Sequence, residues 1–223
     1  SFYYFLIDLP SEKRKKEEKD RSEKVILFDP ENVKGISFIK GENTITLKRL
    51  GPDEWQMTAP VNANGDAPAV LSFLSFLNNL NFTRVVEESP KDLTPFGLDT
   101  PDLKIILSMK NGETKGVRVG DDHPMGNKVY LSLLNGSRVL AAGITKNRLD
   151  RKVHDLRDKT ILDFKTPQIT KIELIRNGKT LSLKKNEESW EVSEEKITAE
   201  GNESEITNLL NTIQAARIEQ FVE

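Results

Sequence analysis

A repeat with an offset of 136 residues, which places Phe28 on Phe164, constrains the fold of this chain more than any other sequence feature. Apolar positions and both tryptophans recur at this offset over about 60 residues, with a single-residue slip before the second tryptophan. Chance seldom keeps hydrophobic spacing in step over such a length, so the pattern predicts a duplicated module. Further aligned positions are Ile36 with Ile172, Leu47 with Leu183, Trp55 with Trp190, Val70 with Ile206 and Leu74 with Leu210.

Each copy begins with two alternating apolar runs that flank a short turn, a pattern that predicts a β-hairpin. The turn is Gly41-Glu42 in the first copy and Asn177-Gly178 in the second. A third short run carries the tryptophan, with an apolar residue two positions later on the same face of the predicted strand. We therefore expect three strands at the start of each copy, with the tryptophan packed inside.

The apolar spacing then changes to that of an amphipathic helix. Asp66 and Asn202 precede these segments, where they are suited to cap the helix N-termini. A last short apolar run, residues 84–87 or 219–222, predicts a strand that closes each copy as a β-β-β-α-β unit. The predicted helical faces are Val70, Phe73, Leu74, Leu77 and Leu80 in the first copy and Ile206, Leu209, Leu210, Ile213 and Ala216 in the second.

Residues 98–142, between the copies, alternate between apolar and polar side chains around Asn-Gly turns at 111–112 and 135–136. Because Asn-Gly between alternating apolar residues is a strong hairpin signal, this segment is predicted to be an antiparallel meander. Thr145 is the predicted cap of a connector helix that leads into the second copy through Leu149, Val153 and Leu156.

The predicted fold class is α+β, with two β-β-β-α-β repeats that flank a central antiparallel β-meander. The segments follow from changes in periodicity and composition along the chain. They are residues 1–10, the end of a membrane anchor or an edge strand; 11–24, a charged spacer; 25–97, the first repeat; 98–160, the meander and connector helix; and 161–223, the second repeat.

An aromatic and aliphatic run occupies residues 2–7. It is too short to cross a bilayer, which needs about 20 apolar residues, so two interpretations stand. The run is either an edge strand of the fold or the last part of a membrane helix that lies upstream of Ser1, with Tyr3 and Tyr4 at the interface. Residues 11–24 carry seven basic and five acidic side chains and no apolar one, which is typical of a solvated spacer.

Composition and motifs disfavour several classes of protein. With 33 basic and 35 acidic residues the net charge is −2, so the chain lacks the basic excess of a phosphate-neutralising nucleic-acid binder. Cysteine is absent, which removes disulfides, thiolate nucleophiles and cysteine zinc sites. The sequence also lacks the HExxH, GxSxG, GxGxxG and P-loop patterns of common hydrolases and nucleotide-binding proteins.

One polar loop could carry chemistry. Asp121, Asp122 and His123 stand together between two predicted strands, and two carboxylates beside an imidazole can bind a divalent cation or activate water. The same residue types, with Pro and Gly nearby, are also typical of a wide turn, and we favour that interpretation. We therefore assign no catalytic, cofactor-binding or metal-binding residue and keep these three as weak candidates.

Six short segments stand in a fixed order along the chain: FDPENV at 28–33, WQMTAP at 55–60, VVE at 85–87, FGLDTP at 96–101, VGD at 119–121 and LRDK at 156–159. This order resembles a bacterial family of unknown function whose members carry an N-terminal membrane helix followed by a duplicated α+β region. The resemblance covers residues 25–223. It implies a cell-envelope location and frequent gene neighbourhood with ABC-type export systems, including gliding-motility-associated ones, and it supplies no catalytic residue.

The sequence therefore predicts a non-enzymatic cell-envelope module with its globular part outside the cytoplasm, as a membrane-tethered accessory or binding component of a transport or surface-assembly system. The expected partners are the membrane, through an anchor upstream of Ser1, and an envelope or transporter protein. We expect neither a cofactor nor nucleic acid. The alternative is an envelope hydrolase or metal-dependent enzyme that uses the loop of Asp121, Asp122 and His123.

Overall fold

Antiparallel strands are the main regular secondary structure of the computed structural model, which describes residues 18–19, 21–187 and 189–222. A few helices accompany these antiparallel sheets, and this combination confirms the α+β class in its general form. The chain divides into two units, Ser1–Asp158 and Lys159–Glu223, and each contains one antiparallel sheet.

Nine strands form the sheet of the first unit. They are β1 (Val33–Lys40), β2 (Asn43–Gly51), β3 (Glu54–Ala59), β4 (Ala63–Asn64), β5 (Phe82–Glu87), β6 (Leu103–Met109), β7 (Thr114–Asp122), β8 (Val129–Leu133) and β9 (Val139–Ala142). They pair in the order β4-β3-β2-β1-β6-β7-β8-β9-β5. The predicted meander, β6 to β9, is therefore part of the same sheet as the predicted first repeat, because β1 pairs with β6 and β5 pairs with β9.

The long helix α1 (Ala67–Asn78) packs against the core of the first unit. Asp66 caps it, because its Oδ1 accepts a hydrogen bond from the Ala69 N–H at 2.9 Å. Phe73 meets Phe38 of β1 edge to face, with ring centroids 5.0 Å apart. The predicted apolar face is thus the buried face, with Val70, Phe73, Leu74 and Leu77 buried.

The predicted connector helix is wrong in its extent. A 3-10 turn (Lys146–Arg148) and a short helix, α2 (Val153–Leu156), take its place, and Thr145 makes no side-chain capping bond. A new helical turn begins after Lys152, because the Lys152 N–H donates a hydrogen bond to Asp155 Oδ2 at 2.8 Å. Leu149 and Leu156 are nevertheless buried in the core, so the apolar spacing marked burial correctly and helix continuity incorrectly.

Among its described residues, the second unit has four strands and one α-helix. They are β10 (Lys171–Arg176), β11 (Lys179–Lys185), β12 (Trp190–Glu194), β13 (Ile197–Gly201) and α3 (Glu203–Ala215). The strands pair in sequence order, and α3 is capped by Asn202, whose Oδ1 accepts a hydrogen bond from the Glu205 N–H at 3.2 Å. The buried core is small and consists of Leu183, Trp190, Ile206 and Leu210.

The first hairpin of the second unit pairs as the first hairpin of the first unit does, at a constant offset. All six partner pairs of β1 and β2 become the six pairs of β10 and β11 when 136 is added to each residue number. The isolated bridges Lys24–Asn81 and Thr160–Arg217 obey the same offset. The single-residue slip also reappears, since Leu47 pairs with Met57 whereas Leu183 pairs with Val192.

The order of elements differs from the prediction in both units. Four strands precede each long helix where three were predicted, because β4 and β13 were not recognised. Strand β4 has only two residues, and β13 has exposed side chains at all positions except Gly201, so neither shows apolar alternation. The predicted strand at 84–87 exists as part of β5, whereas residues 219–222 lie in no strand.

The predicted anchor or edge strand at residues 1–10 lies outside the described residues, as does most of the spacer at 11–24. Within the spacer, residues 18–19 and 21–22 are helical. Among the described residues, no helix combines the length and apolar character needed to cross a bilayer.

Candidate functional site

A groove of about 490 Å³ opens on the first unit between the segment before β1 and the turn that joins β8 to β9. Its floor is apolar and takes side chains from four parts of the chain. Such a lining suits an apolar ligand or the apolar side of a peptide segment. The main apolar contributors are Ile26, Leu27, Phe82, Leu133, Leu134 and Leu140.

Backbone bonds hold the first wall of the groove in place. The Val25 N–H donates to the Leu80 carbonyl, and the Phe82 N–H donates to the Glu23 carbonyl, both at 2.9 Å. These two bonds fix the segment before β1 beside the start of β5. Val25 and Ile26 are buried there, whereas Leu27 is 43% exposed and faces the opening.

Arg118 fixes the opposite wall, which is the turn between β8 and β9. Its Nη2 donates to Ser132 Oγ at 3.0 Å and to the Gly136 carbonyl, and Ser132 Oγ donates to the same carbonyl at 3.1 Å. The Leu134 N–H also donates to the Gly116 carbonyl at 2.8 Å. A cation therefore organises this turn from behind, and Leu133 remains 42% exposed beside the groove.

Among the residues that the structure describes, the charged side chains that line the groove are basic: Arg21, Lys24, Lys115 and Arg138. Lys115 Nζ donates to the Leu27 carbonyl at 2.9 Å, which leaves two of its three donors for other acceptors. Arg138 is more fully engaged, because it pairs with Glu88 at 2.8 Å. An apolar floor with a positive rim favours a ligand that is apolar along its length and negatively charged at one end.

A second depression of about 630 Å³ lies beside Arg49 and has fewer groups available to bind a ligand than the groove has. The Arg49 guanidinium donates to the carbonyls of Pro30, Glu31, Val33 and Pro52 at 3.0–3.3 Å. Its Nη1 and Nη2 groups thus hold the chain before β1 and the turn after β2. This arrangement is structural, and the groove is the better candidate for binding.

Asp121, Asp122 and His123 lie at the end of β7, where the pairing with β8 is interrupted by a bulge. Asp122 Oδ1 accepts the Lys146 N–H at 2.9 Å, and His123 Nδ1 accepts the Met125 N–H at 3.1 Å. The Asp121 carboxylate lies against Gly97, where a Cβ would be only 2.6 Å from its Cγ. Each side chain thus has a different neighbour, and the described residues contain no group of three or more His, Cys, Asp and Glu side chains able to hold a metal ion.

Nearby acidic groups are also tied to local structure. The Lys146 ammonium donates to Asp102 Oδ2 at 2.9 Å, and this hydrogen bond and charge lower the pKa of Asp102. The Thr94 N–H donates to Asp92 Oδ1 at 2.9 Å and lowers the pKa of Asp92. A lowered pKa keeps a carboxyl group ionised, which suits a cap or an ion pair and is unsuited to a general acid at neutral pH.

The groove was not predicted from the sequence. Its walls come from segments far apart in the chain, and only the apolar residues 25–28 directly after the charged spacer signalled one of them. The positive rim could not be predicted from the sequence either, because Lys115 and Arg138 lie in separate hairpins.

No curated protein and no solved structure matches the chain. A family model described as a domain of unknown function, DUF4340, matches residues 55–223. The match begins at Trp55 in β3 and includes the rest of the first sheet and the whole second unit. It agrees with the expected resemblance to a family of unknown function. Since the matched region is well over half of the sequence, the chain belongs to the DUF4340 family.

Proposed function

We propose that this chain is a non-catalytic binding module of the cell envelope, an accessory component of a transport or surface-assembly system. In this proposal the groove of the first unit binds an extended segment of a partner protein. The segment has apolar side chains toward the floor and an acidic residue near Lys115.

The observation that carries the proposal is the pairing of an apolar floor with a rim whose charged members, within the described part of the chain, are basic. About 490 Å³ accommodates a few apolar side chains, the usual size of a small recognition site. By contrast, the Asp122 carboxylate and the His123 imidazole already accept backbone N–H bonds, and the Asp121 carboxylate lies against Gly97, so the enzyme alternative gains no support from their geometry.

The membrane tether and the envelope location are parts of the same proposal. The apolar run at residues 2–7 and the charged residues 11–24 support a tether followed by a solvated spacer. The motif order that resembles a membrane-anchored envelope family supports the location. Fractionation of cells that express the full-length gene, followed by protease treatment of spheroplasts, tests both: soluble recovery contradicts the tether, and protease resistance at the membrane contradicts the outside location.

We also propose that the two segments of four strands and a helix are copies of one module. Support comes from the constant pairing offset and from the equivalent caps, Asp66 and Asn202. A tryptophan also stands beside a crowded glycine in each segment. A Cβ at Gly65 would lie 3.1 Å from Trp55 Cβ, and a Cβ at Gly201 would lie 3.0 Å from Trp190 Cβ.

Binding of 1-anilinonaphthalene-8-sulfonate, an apolar anion, to the 223-residue chain tests the groove. We expect Leu133→Asp to weaken this binding about tenfold, because it places a negative charge on the apolar wall. The matched control is Leu50→Asp, since Leu50 is 58% exposed and Leu133 is 42% exposed. Equal effects of both substitutions would show that the groove is not the site.

A photo-crosslinking amino acid at position 133 of the full-length protein tests the partner in cells. We expect a protein adduct from position 133, loss of that adduct in Lys115→Glu, and none from position 50. Adducts of equal yield from both positions would contradict a specific partner in the groove.

A further inference from the structure

Strand β10 (Lys171–Arg176) is an edge of the second sheet. It pairs with β11 on one side, and the residues described at 18–19, 21–187 and 189–222 provide no strand for its other side. An unpaired edge presents free backbone N–H and C=O groups, which can bind another strand. The outer side of β10 is therefore able to bind a strand from a partner.

The first unit shows what a filled edge looks like at the equivalent position. Strand β1 has the same pairing with β2 that β10 has with β11, and its other side pairs antiparallel with β6. Phe38 of β1 lies opposite Ile105 of β6 and is 2% exposed. Its counterpart Leu174 faces the same side of the sheet as Leu181 and is 38% exposed. The core of the second unit is thus open on the side where β6 closes the first.

Hydrogen-bond geometry shows which groups of β10 point outward. The Thr170 carbonyl accepts the Lys185 N–H at 2.8 Å, so Thr170 is directed toward β11. Backbone groups alternate along an antiparallel strand. Ile172, Leu174 and Arg176 therefore also bond toward β11, and the backbone groups of Lys171, Glu173 and Ile175 point outward.

We propose that the outer edge of β10 binds an extended segment of a partner protein as an added antiparallel strand, in the position that β6 occupies beside β1. The main-chain bonds supply affinity and the side chains supply selectivity. This surface is separate from the groove of the first unit, so the two proposals can fail independently.

The pairing of β1 with β6 specifies the side chains that such a segment needs. Ile36 and Phe38 lie opposite Leu107 and Ile105, so apolar residues belong opposite Ile172 and Leu174. On β10, Lys171 and Glu173 form an exposed ion pair at 2.7 Å, and Arg176 is exposed at the turn. Opposite charges across a pair of strands stabilise it. The partner segment therefore carries acidic residues opposite Lys171 and Arg176 and a basic residue opposite Glu173.

A second copy of this chain fits the edge poorly. Of the self-pairing registers with the longest overlap, one places Glu173 opposite Glu173, and a second places Arg176 opposite the apolar Ile172. The third places Lys171 opposite Arg176, and it also sets outward backbone groups of one copy against groups that bond toward β11 in the other. The first and third registers oppose like charges, which is destabilising, and the second forms no pair of opposite charges, so the charge pattern favours a different sequence as the occupant.

The test uses the full 223-residue chain and a fluorescent peptide with the central sequence Glu-Val-Ile-Lys-Leu-Glu. We expect anisotropy to report saturable binding and the charge-reversed edge, Lys171→Glu with Glu173→Lys and Arg176→Glu, to weaken it about tenfold. The charge-reversed peptide, Lys-Val-Ile-Glu-Leu-Lys, is expected to prefer that variant. Lys196→Glu, in the turn between β12 and β13, is the matched control and leaves binding unchanged.

A proline variant separates main-chain pairing from charge. Glu173→Pro removes an outward N–H without breaking a bond to β11, and we expect it to abolish binding of both peptides, whereas Glu173→Gln keeps most of it. Circular dichroism establishes that the variants are folded. The proposal is overturned if neither peptide binds up to about 1 mM, or if the edge variants bind like the parent. It is also overturned if sedimentation shows a dimer that Glu173→Pro dissociates, since a second copy would then be the occupant.

Discussion

The first hairpins of the two sheets share one strand register, but the sheets differ in how completely their cores are closed. In the first unit, β6 extends the sheet beyond β1, and Phe38 is buried against Phe73 of α1. In the second, β10 ends the sheet, and the equivalent Leu174 is partly open to solvent. The hairpin and the helix of each unit therefore determine the strand pairing and the helix cap, whereas the burial of a core residue also depends on the neighbouring strand.

Truncation of the equivalent core residues Phe38 and Leu174 is expected to give the largest difference in stability between the two units. We expect Phe38→Ala to lower the free energy of unfolding of the first unit by about 3–5 kcal/mol, because it leaves a cavity in a closed core. Leu174→Ala is expected to cost the second unit about 1 kcal/mol, because solvent already reaches the side chain.

The two tryptophans allow each unit to be followed separately in urea. Trp55 reports on the first unit in a Trp190→Phe background, and Trp190 reports on the second in a Trp55→Phe background. Equal losses for Phe38→Ala and Leu174→Ala would mean that the edge of β10 is covered in solution, and the comparison would then fail.

The crowded glycines beside the tryptophans give a smaller effect that is common to both units. We expect Gly65→Ala and Gly201→Ala each to cost about 1–3 kcal/mol through overpacking. The added Cβ would lie 2.9 Å from Leu47 Cδ2 in the first case and 2.9 Å from Val192 Cγ2 in the second. Unit-specific urea unfolding measures both. Gly41→Ala is the steric control, since no atom lies within 4 Å of its added Cβ, although its φ of 57° carries a separate backbone cost.

The helix caps test the shared part of the comparison more finely. Asp66→Ala and Asn202→Ala are each expected to cost about 1 kcal/mol, because each side chain accepts one N–H bond in the first turn of its helix. The conservative exchange Asp66→Asn keeps the acceptor and serves as the control. If only one alanine substitution is destabilising, the two helix starts are not equivalent in solution.

Local features of the fold were predictable because their signals lie within a few residues of one another. The caps at Asp66 and Asn202, the apolar face of α1 and the Asn-Gly turns follow from short-range rules. Of the face predicted for α3, Ile206 and Leu210 are buried, whereas Ala216 lies beyond the helix and is exposed. The connector after Thr145 failed because the competing bond from the Lys152 N–H to Asp155 restarts the helix.

Long-range pairing and the groove could not be predicted in this way. The contact of Phe38 with Ile105 joins residues far apart in the chain, and nothing near either residue specifies the other. The groove likewise depends on Lys115 and Leu133 from different hairpins. The residues singled out for chemistry, Asp121, Asp122 and His123, were chosen by type, and type alone does not distinguish a loop-forming carboxylate from a reactive one.

The ion pair between Asp102 and Lys146 lies in the first unit, and of the features considered it is expected to contribute least to the free energy of unfolding. The hydrogen bond and positive charge of Lys146 lower the pKa of Asp102 in the folded chain. The resulting stability is therefore fully present above the unfolded pKa of about 3.9 and is lost as the pH falls through the folded value. Since the Asp102 side chain is 71% exposed, Asp102→Asn is expected to cost about 0.5 kcal/mol or less at neutral pH and nothing in strong acid. Urea midpoints read through Trp55 at both pH values measure this, and a Lys146→Gln background provides the control, because Asp102→Asn should have no effect there. A loss that persists in strong acid, or in that background, would mean that Asp102 stabilises the chain by packing and not by charge.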